Sequence, residues 1–568
     1  MDRVRIKIAG QSGSGLLSVG EIISSAINYL GYNIVTDREY PSLIKGGHSC
    51  FTINVSDKPI FSLSEGADVL VAIDKISMNA YLETLSKGGV LIHGGEDFAK
   101  DGINIARMNT KEVALASGGT AIMQNMVLTG MVWKVLGFDF EKIEKEVKTR
   151  FKKVTKEILD ANIECVKRGY EGVETAQGIW NFEAKKTDNV LIDGSRAVAL
   201  GAVACGVRAY YGYPMSPSSG ILTYLAEING KTDMIVKQAE DEITASQMAL
   251  GSMYMGTRAL VATSGGGYDL MTETVSLAGI MENPLVILIG QRPGPGTGLP
   301  TWTAQGDLDL AIHSSHGEFP RVVIGLSDIE DSFELVGEAF NFTEKYQTPV
   351  ILLSEKTILE SKISVDRKFF DREIKIERGL TEGKNHEEPK RGDRYKLTDS
   401  GISPRWIPGD GNEYYFANGD EHFENGDDTE KAEEIHLIYE KRMKKMVAIK
   451  ENLPAPEIFG VEKNADISFV GWGSSKNAMR DVIETYAEKG VKVNYLHYSF
   501  VWPLQENAVK DFFKNNKNVN LIEGNYLGQF GNIVESQTGV KFKNRLLKFD
   551  GRAFFIEDII KFIDKNGI

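Results

Sequence analysis

The chain has 568 residues, too many for one hydrophobic core, and its 42% hydrophobic and 25% charged content is ordinary for globular protein built of several domains. A formal net charge of −14 excludes a general nucleic-acid binder, which needs clustered Lys and Arg to neutralise phosphates. There is no apolar run of ~18 residues, so no membrane span is expected.

The opening residues, Met1 to Ile8, read as a short alternating strand rather than a signal peptide, and the expected location is cytoplasmic. The turn Gly10-Gln11-Ser12-Gly13-Ser14-Gly15 follows, then an apolar-periodic helix to about Leu30. Strand, glycine turn and helix in this order make Gly10, Gly13 and Gly15 a candidate nucleotide loop; the alternative is a tight turn with no ligand. Asp37, after a strand from Asn33 to Thr36, stands where a ribose-binding acid is sought. Glu39-Tyr40-Pro41-Ser42-Leu43-Ile44-Lys45-Gly46-Gly47-His48-Ser49-Cys50 is a dense polar loop of the kind that serves an interface or a ligand. Buried strands are expected at Val69 to Asp74 and at Gly89 to His93, and a helical pattern runs from Thr120 to about Arg168. Residues 1–180 thus read as one α/β domain, and Thr175 to Asp188 as a linker.

From Val190 onward strands and helices alternate. Strands are expected at 190–193, 209–213, 234–237, 259–263, 285–290 and 350–353, with helices at 196–207, 218–228, 241–254, 268–281 and 329–346. This alternation predicts a doubly wound parallel sheet over 190–365. Residues 366–450 turn irregular and charged, an extended arm closed by a helix over roughly Lys431 to Glu451. Residues 460–568 read as a last α/β domain, with strands at 467–472, 491–497, 519–523 and 547–550.

The chemistry gathers on the turns after the strands of 190–306, because ligands bind at the carboxyl edge of an open parallel sheet. One turn is Tyr213-Pro214-Met215-Ser216-Pro217, where proline fixes the backbone around a serine hydroxyl; the competing reading is a turn that only caps the helix after it. Another is Gln238-Ala239-Glu240-Asp241-Glu242 at a helix start, where the macrodipole favours negative charge. Composition alone does not choose among its three acids. Gly265-Gly266-Gly267 before a helix is like an anion nest, against a plain packing turn. Arg292, in Gln291-Arg292-Pro293-Gly294-Pro295-Gly296-Thr297-Gly298, suits a bidentate anion contact, against a surface salt bridge.

Two absences complete this reading. Gly409-Asp410-Gly411 lies in an irregular loop with no Asn-Asn pair close behind it, so it is read as a turn rather than a diphosphate–magnesium site. Cys50, Cys165 and Cys205 lie far apart without a CxxC pair. Each reads as a small buried residue, and an iron–sulfur cluster, which takes four cysteines, is not expected here. No metal site is assigned to this chain.

Taken together, these segments resemble the α subunit of 2-oxoacid:ferredoxin oxidoreductases in the form that carries a γ domain fused at its N-terminus. The likeness rests on Gly10 to Gly15 and Glu39 to Ser49, and on the turns at 213–219, 238–242, 263–267 and 291–298. It extends to Ser403-Pro404-Arg405, Asn418-Gly419-Asp420-Glu421-His422 and Glu523-Gly524-Asn525-Tyr526-Leu527-Gly528-Gln529. The resemblance implies a Rossmann-like γ domain (1–180), a thiamine-diphosphate pyrimidine-binding domain (190–365) and a transketolase C-terminal-like domain (460–568). It implies oxidative decarboxylation of a 2-oxoacid, with acyl transfer to coenzyme A and electrons passed to ferredoxin. A separate β subunit would hold Mg2+, the diphosphate and a [4Fe-4S] cluster, in an (αβ)2 heterotetramer.

By the same resemblance Glu242 is the glutamate that hydrogen-bonds the aminopyrimidine N1′. A carboxylate there stabilises the imino tautomer, whose nitrogen is the base beside the acidic C2 proton. Ser216 stands at the substrate-carboxylate contact, with Tyr213 and Pro214 shaping the pocket; Arg292 and Trp302 are further substrate-binding candidates, and Gly265 and Gly266 cofactor-binding ones. Gly10, Gly13 and Gly15 fall in the domain implicated in handling coenzyme A. Part of the family has a basic residue after Leu-Pro-Thr in the 291–306 loop; here Trp302 follows Leu299-Pro300-Thr301. 2-Oxoglutarate is the expected substrate, with pyruvate, branched-chain or aryl 2-oxoacids as alternatives. A non-enzymatic nucleotide-binding or scaffold protein is the reading outside enzymology.

Overall fold

The computed structural model describes residues 3–41, 47–95, 101–176, 179–180, 182–183 and 187–566. The chain divides into two compact units: Met1–Ile192 with Ser361–Asp371 and Phe555–Ile560, and Asp193–Glu360 with Arg372–Phe554 and Lys561–Ile568. No helix among the described residues is long and apolar enough to cross a membrane.

The first unit holds an eight-stranded sheet. Its order is Asn104–Arg107, Leu85–His93, Ala67–Ala72, Val4–Gln11, His48–Ser56, Asn33–Glu39, Lys362–Asp366 and Asn189–Asp193. The first four strands are parallel. Val4–Gln11 and Asn33–Glu39 both run antiparallel to His48–Ser56, because the short connection from Glu39 to His48 permits only a hairpin. Helix Leu16–Tyr29 lays Leu16, Val19, Ile22, Ile23, Ala26 and Ile27 into the core, the spacing of one helical face. Asp37 therefore lies within an antiparallel strand, its carboxylate accepting a hydrogen bond from Ser361 Oγ at 3.1 Å. A ribose-binding acid belongs at the end of a parallel strand, so this position does not serve that role. Residues 42–46 of the polar loop lie outside the described residues.

The second unit is built on a seven-stranded sheet. Its order is Phe500–Trp502, Val322–Gly325, Pro349–Glu355, Leu285–Gln291, Ala259–Ser264, Ala209–Gly212 and Ile235–Gln238. All pairs are parallel except the edge strand Phe500–Trp502, which arrives from the C-terminal region. Leu285–Gln291 and Pro349–Glu355 are buried at every position, which is why they read as unbroken apolar runs. A five-stranded sheet follows in the order Glu457–Gly460, Val493–Tyr498, Ile467–Trp472, Val519–Glu523 and Arg545–Leu547.

The arm between these sheets has little regular structure, and buried charges hold it. Glu344, on helix Ile329–Tyr346, is fully buried and meets Arg258 at 2.8 Å, Arg405 at 3.1 Å and Arg378 at 3.3 Å. Glu282 is equally buried and pairs with Lys441 at 2.6 Å and with Lys445, both on helix Ala432–Asn452. Burial opposes ionisation of Glu282, yet the two ammonium groups outweigh it and hold the carboxyl below its usual range. Two segments of the family likeness are thus seam residues: Arg405, and Glu421, which pairs with Arg442. Gly409-Asp410-Gly411 is a turn in which the Asp410 amide donates to the Ile407 carbonyl at 3.0 Å.

Candidate functional site

The carboxyl edge of the seven-stranded sheet gathers the four turns. Helix Glu242–Tyr254 begins where strand Ile235–Gln238 ends, and Asp241 caps it by accepting from the Thr244 amide at 2.7 Å. This separates the three adjacent acids. Asp241 is used locally, Glu240 is exposed, and Glu242 is 5% exposed, with no donor among the described residues reaching its carboxylate. The carboxylate lies against Gly267, where an added Cβ would stand 2.6 Å from Glu242 Oε1 and closer still to Thr263 Oγ1.

Gly265, Gly266 and Gly267 form the first turn of helix Gly265–Tyr268, and none of them has a positive φ. The triplet is therefore not a nest, which needs left-handed backbone. Its glycines serve close approach: at Gly265 a Cβ would lie 2.7 Å from both carboxylate oxygens of Asp307, and at Gly266 it would meet only the Gly296 carbonyl, at 3.7 Å.

In the 213–217 turn, Tyr213 and Pro214 are exposed and Ser216 is half-buried. Ser218 does not cap the following helix, because its hydroxyl donates back to the Met215 carbonyl at 2.8 Å. The Ser216 carbonyl accepts from Arg292 Nη1 at 2.9 Å, while the Ser216 hydroxyl makes no hydrogen bond among the described residues. Arg292 is 9% exposed and has no carboxylate within ion-pair distance among the described residues. Burial draws its guanidinium below the usual value and Asp307 opposes this. A nearly buried guanidinium with one neutral partner beside a free hydroxyl has the donors an anion needs.

Trp302 is half-buried, and Gly551 packs on its Cβ. The Arg552 guanidinium lies 4.1 Å over its ring. That stacking puts a cation beside the position after Leu299-Pro300-Thr301, and no sequence spacing pointed to it. The rest of this loop is held by side-chain amides. Gln305 donates to Glu355 Oε1 at 3.0 Å and to the Trp472 carbonyl at 2.9 Å, and accepts from the Gly524 amide at 2.5 Å. Gln529 accepts from the amides of Leu308 and Asp309 and donates to the Gly306 carbonyl. Asn525 donates to the Gln305 carbonyl and to Glu523. The 523–529 segment thus acts on the 305–309 loop. Glu355 is pushed up to about 7 by burial, against hydrogen bonds from Ser474 and Gln305.

Sequence reasoning missed Asp307. Its amide donates to Gln291 Oε1 at 3.1 Å, and its Oδ2 is buried with no hydrogen-bond partner among the described residues. Thr263 Oγ1, Ser264 Oγ and Gln291 Nε2, on the ends of the two adjacent strands, are also buried and have no hydrogen-bond partner among the described residues. Burial first and then Asp269 push the Asp307 carboxyl up to about 7, against Arg292. The one signal in the sequence was a lone acid closing the Gln305-Gly306-Asp307 turn.

In the first unit, Gly15 is the left-handed N-cap of helix Leu16–Tyr29. The Gln11 amide of the same loop donates to Asp74 Oδ2 at 3.0 Å, and the other oxygen of Asp74 caps helix Lys75–Tyr81. A carboxylate thus takes up one of the amides that a phosphate would use. Ser12 and Ser49 hydroxyls meet at 2.8 Å. Cys50, Cys165 and Cys205 are buried free thiols, and burial pushes Cys50 up to about 12. No group of three or more His, Cys, Asp or Glu poised for a metal ion occurs among the described residues.

Comparison with known proteins matches three family models: a pyruvate flavodoxin/ferredoxin oxidoreductase thiamine-diphosphate-binding domain over residues 200–441, a pyruvate ferredoxin/flavodoxin oxidoreductase domain over 5–172, and a pyruvate:ferredoxin oxidoreductase core domain II over 465–559. The chain is 32% identical to a 2-oxoacid:ferredoxin oxidoreductase subunit alpha of Sulfolobus sp, over 97% of this chain and 95% of that one. It is 27% identical to the 2-oxoglutarate oxidoreductase subunit KorA of Mycobacterium tuberculosis, over 99% and 91%. The solved 2-oxoglutarate:ferredoxin oxidoreductase from Magnetococcus marinus, with 2-oxoglutarate, coenzyme A and succinyl-CoA bound, matches with a TM-score of 0.91 at 27% identity, over 100% of this chain and 99% of that one.

Proposed function

The chain belongs to the 2-oxoacid:ferredoxin oxidoreductase alpha subunits, and from that premise we propose that it decarboxylates 2-oxoglutarate oxidatively in an (αβ)2 cytoplasmic enzyme with ferredoxin as electron acceptor. It is an oxidoreductase that uses thiamine diphosphate and coenzyme A. The beta subunit carries Mg2+ and the [4Fe-4S] cluster in this reading.

The observation that carries the proposal is a pair of buried charged side chains on one sheet edge, Glu242 and Arg292, neither in an ion pair among the described residues. Buried charges are costly unless matched, so each calls for a partner from outside this chain. Glu242, seated on Gly267, fits the ring nitrogen of an aminopyrimidine, and the space over Gly266 is open. When bound, thiamine diphosphate supplies carbanion attack on the 2-oxo carbon and a sink for the electrons left by departing CO2. Glu242 holds the proton at N1′ and so sets which tautomer faces the reacting carbon. Arg292 and the Ser216 hydroxyl orient the substrate carboxylate; Tyr213 and Pro214 wall the approach. Arg552, stacked on Trp302, is the cation for the distal carboxylate of a dicarboxylic oxoacid.

The Gly10–Gly15 loop is proposed for coenzyme A handling through its remaining amides, since Asp74 already holds that of Gln11. The test is anaerobic co-expression with the beta subunit, followed by ferredoxin reduction assays across a panel of 2-oxoacids. The reading predicts turnover that needs coenzyme A, with 2-oxoglutarate preferred over pyruvate. Equal turnover of both would remove the 2-oxoglutarate assignment, and turnover independent of coenzyme A would remove the acyl-transfer assignment.

A further inference from the structure

Four polar atoms on this edge are buried without hydrogen-bond partners among the described residues: Thr263 Oγ1, Ser264 Oγ, Gln291 Nε2 and Asp307 Oδ2. Buried polar atoms in folded chains are nearly always paired, and such a cluster marks ligand-facing groups. Three belong to strand ends, while Asp307, half-buried as a residue, comes from the loop that Gln305 and Gln529 hold in place, and its Oδ1 is not among these atoms. Its carboxyl rests on Gly265, in the turn that also carries Gly267 beneath Glu242. Its amide is tied to Gln291, the residue before Arg292.

We propose that Asp307 is a further substrate-binding residue, acting as a neutral carboxylic acid that donates a hydrogen bond to the 2-oxoacid carboxylate held by Arg292. The inference rests on the reading of Arg292 as the carboxylate anchor. A neutral acid suits the place for two reasons. A protonated carboxyl facing a carboxylate gives a short, strong O–H···O− bond. An ionised one would set like charges side by side where burial leaves them poorly solvated. The charged groups around Asp307 agree. Asp269, in the turn after Tyr268, raises its proton affinity and Arg292 lowers it, with burial the largest influence. Glu242 stands on the same glycine turn, and Asp309 and His313 lie on the helix Leu308–His313 that follows.

The proton relation has a definite sign. The carboxyl is held at about 7, so it is mostly neutral below that pH and ionised above it. Affinity for a carboxylate ligand should therefore fall as pH rises through 7, by about tenfold per pH unit in the limit of full exclusion.

The test uses the assembled αβ enzyme and the unreactive probe oxalate, with its dissociation constant measured by titration calorimetry at pH 6 and pH 8. Wild type should bind oxalate about tenfold more weakly at pH 8. Asp307→Asn, which keeps a donor and cannot ionise, should bind equally at both pH values and more tightly than wild type at pH 8. Asp307→Ala should bind weakly at both. A wild-type-like loss at pH 8 in Asp307→Asn overturns the proposal. Arg292→Met separates the two layers: if oxalate affinity is unchanged in that variant, the anchor reading fails. If Arg292→Met weakens binding while Asp307→Asn tracks wild type, only the role of Asp307 fails. Thermal unfolding of each variant shows that the compared proteins are folded, and a variant that does not assemble is replaced by Asp307→Ser, with the same two outcomes.

Discussion

Two regions of the second unit bury ionisable groups at similar depth and treat them oppositely. At the arm seam each buried carboxylate meets cations of the same chain: Glu344 has three arginines and Glu282 two lysines. At the sheet edge, among the described residues, Glu242 has no donor, Arg292 has no carboxylate within ion-pair distance, and four neighbouring polar atoms lack hydrogen-bond partners. Burial alone therefore does not distinguish structure from function here. The distinction lies in whether the chain supplies the counter-group. Completed charge holds an irregular segment in place, and in the proposed reading incomplete charge is left for a cofactor and a substrate.

The contrast can be broken most sharply at Glu242. Glu242→Gln should lower turnover roughly 10²–10⁴-fold, the range of a lost acid–base contribution, while assembly with the beta subunit and thermal stability stay near wild type. Steady-state ferredoxin reduction beside size-exclusion chromatography measures both, and a fully active variant would remove Glu242 from the mechanism. The seam should respond the other way. Glu344→Gln strands two buried arginines, Arg258 and Arg405, and a half-buried third, Arg378, and should cost about 3–5 kcal/mol in denaturant unfolding, with activity per folded molecule retained. If it instead lost activity without losing stability, the seam would not be merely structural.

Gly267→Ala and Gly266→Ala form a finer pair. A Cβ at 267 meets Glu242 and Thr263, and one at 266 meets nothing closer than 3.7 Å. The first should lower kcat by about tenfold or more, following a displacement of the carboxylate, and the second by less than about twofold. Equal effects would mean that Glu242 tolerates displacement. The smallest change is expected from Arg552→Met. It keeps the contact with Trp302 and removes the charge, and should raise KM for 2-oxoglutarate about three- to tenfold without affecting pyruvate. An unchanged ratio of the two substrates would return the distal contact to another residue.

Much of the second unit was legible because its elements obey local rules. The alternation of apolar runs and helical periods marks the strands of the central sheet to within a residue or two, and the helix Ile329–Tyr346 to both ends. What stayed hidden is long-range. Phe500–Trp502 is too short to carry a period, yet it closes the edge of the other sheet. Arg258 and Glu344 are 86 positions apart and neither announces the other. The 190–365 segment reads as one pyrimidine-binding domain, but Ile363 within it pairs with Val35 in the first unit.

The site divides the same way. Glu242 was nameable only through its helix start and the family likeness; the capping by Asp241 is what separates it from its neighbours. The glycine triplet suggested a nest and proved to be a helical turn that admits two carboxylates. Asp307 and Arg552 had no pattern to declare them, because the roles proposed for them rest on what folds over them.

The clasp of Gln305 and Gln529 has a bearing on recombination. The loop carrying Trp302 and Asp307 takes its hydrogen bonds from the 523–529 turn and its stacking partner from Arg552, more than 200 positions downstream. The two stretches act as one heritable module split in the gene. A hybrid that trades the C-terminal sheet between relatives while leaving 299–309 behind should inherit a mismatched clasp, whereas one that moves both crossover blocks together should transplant substrate choice along with them.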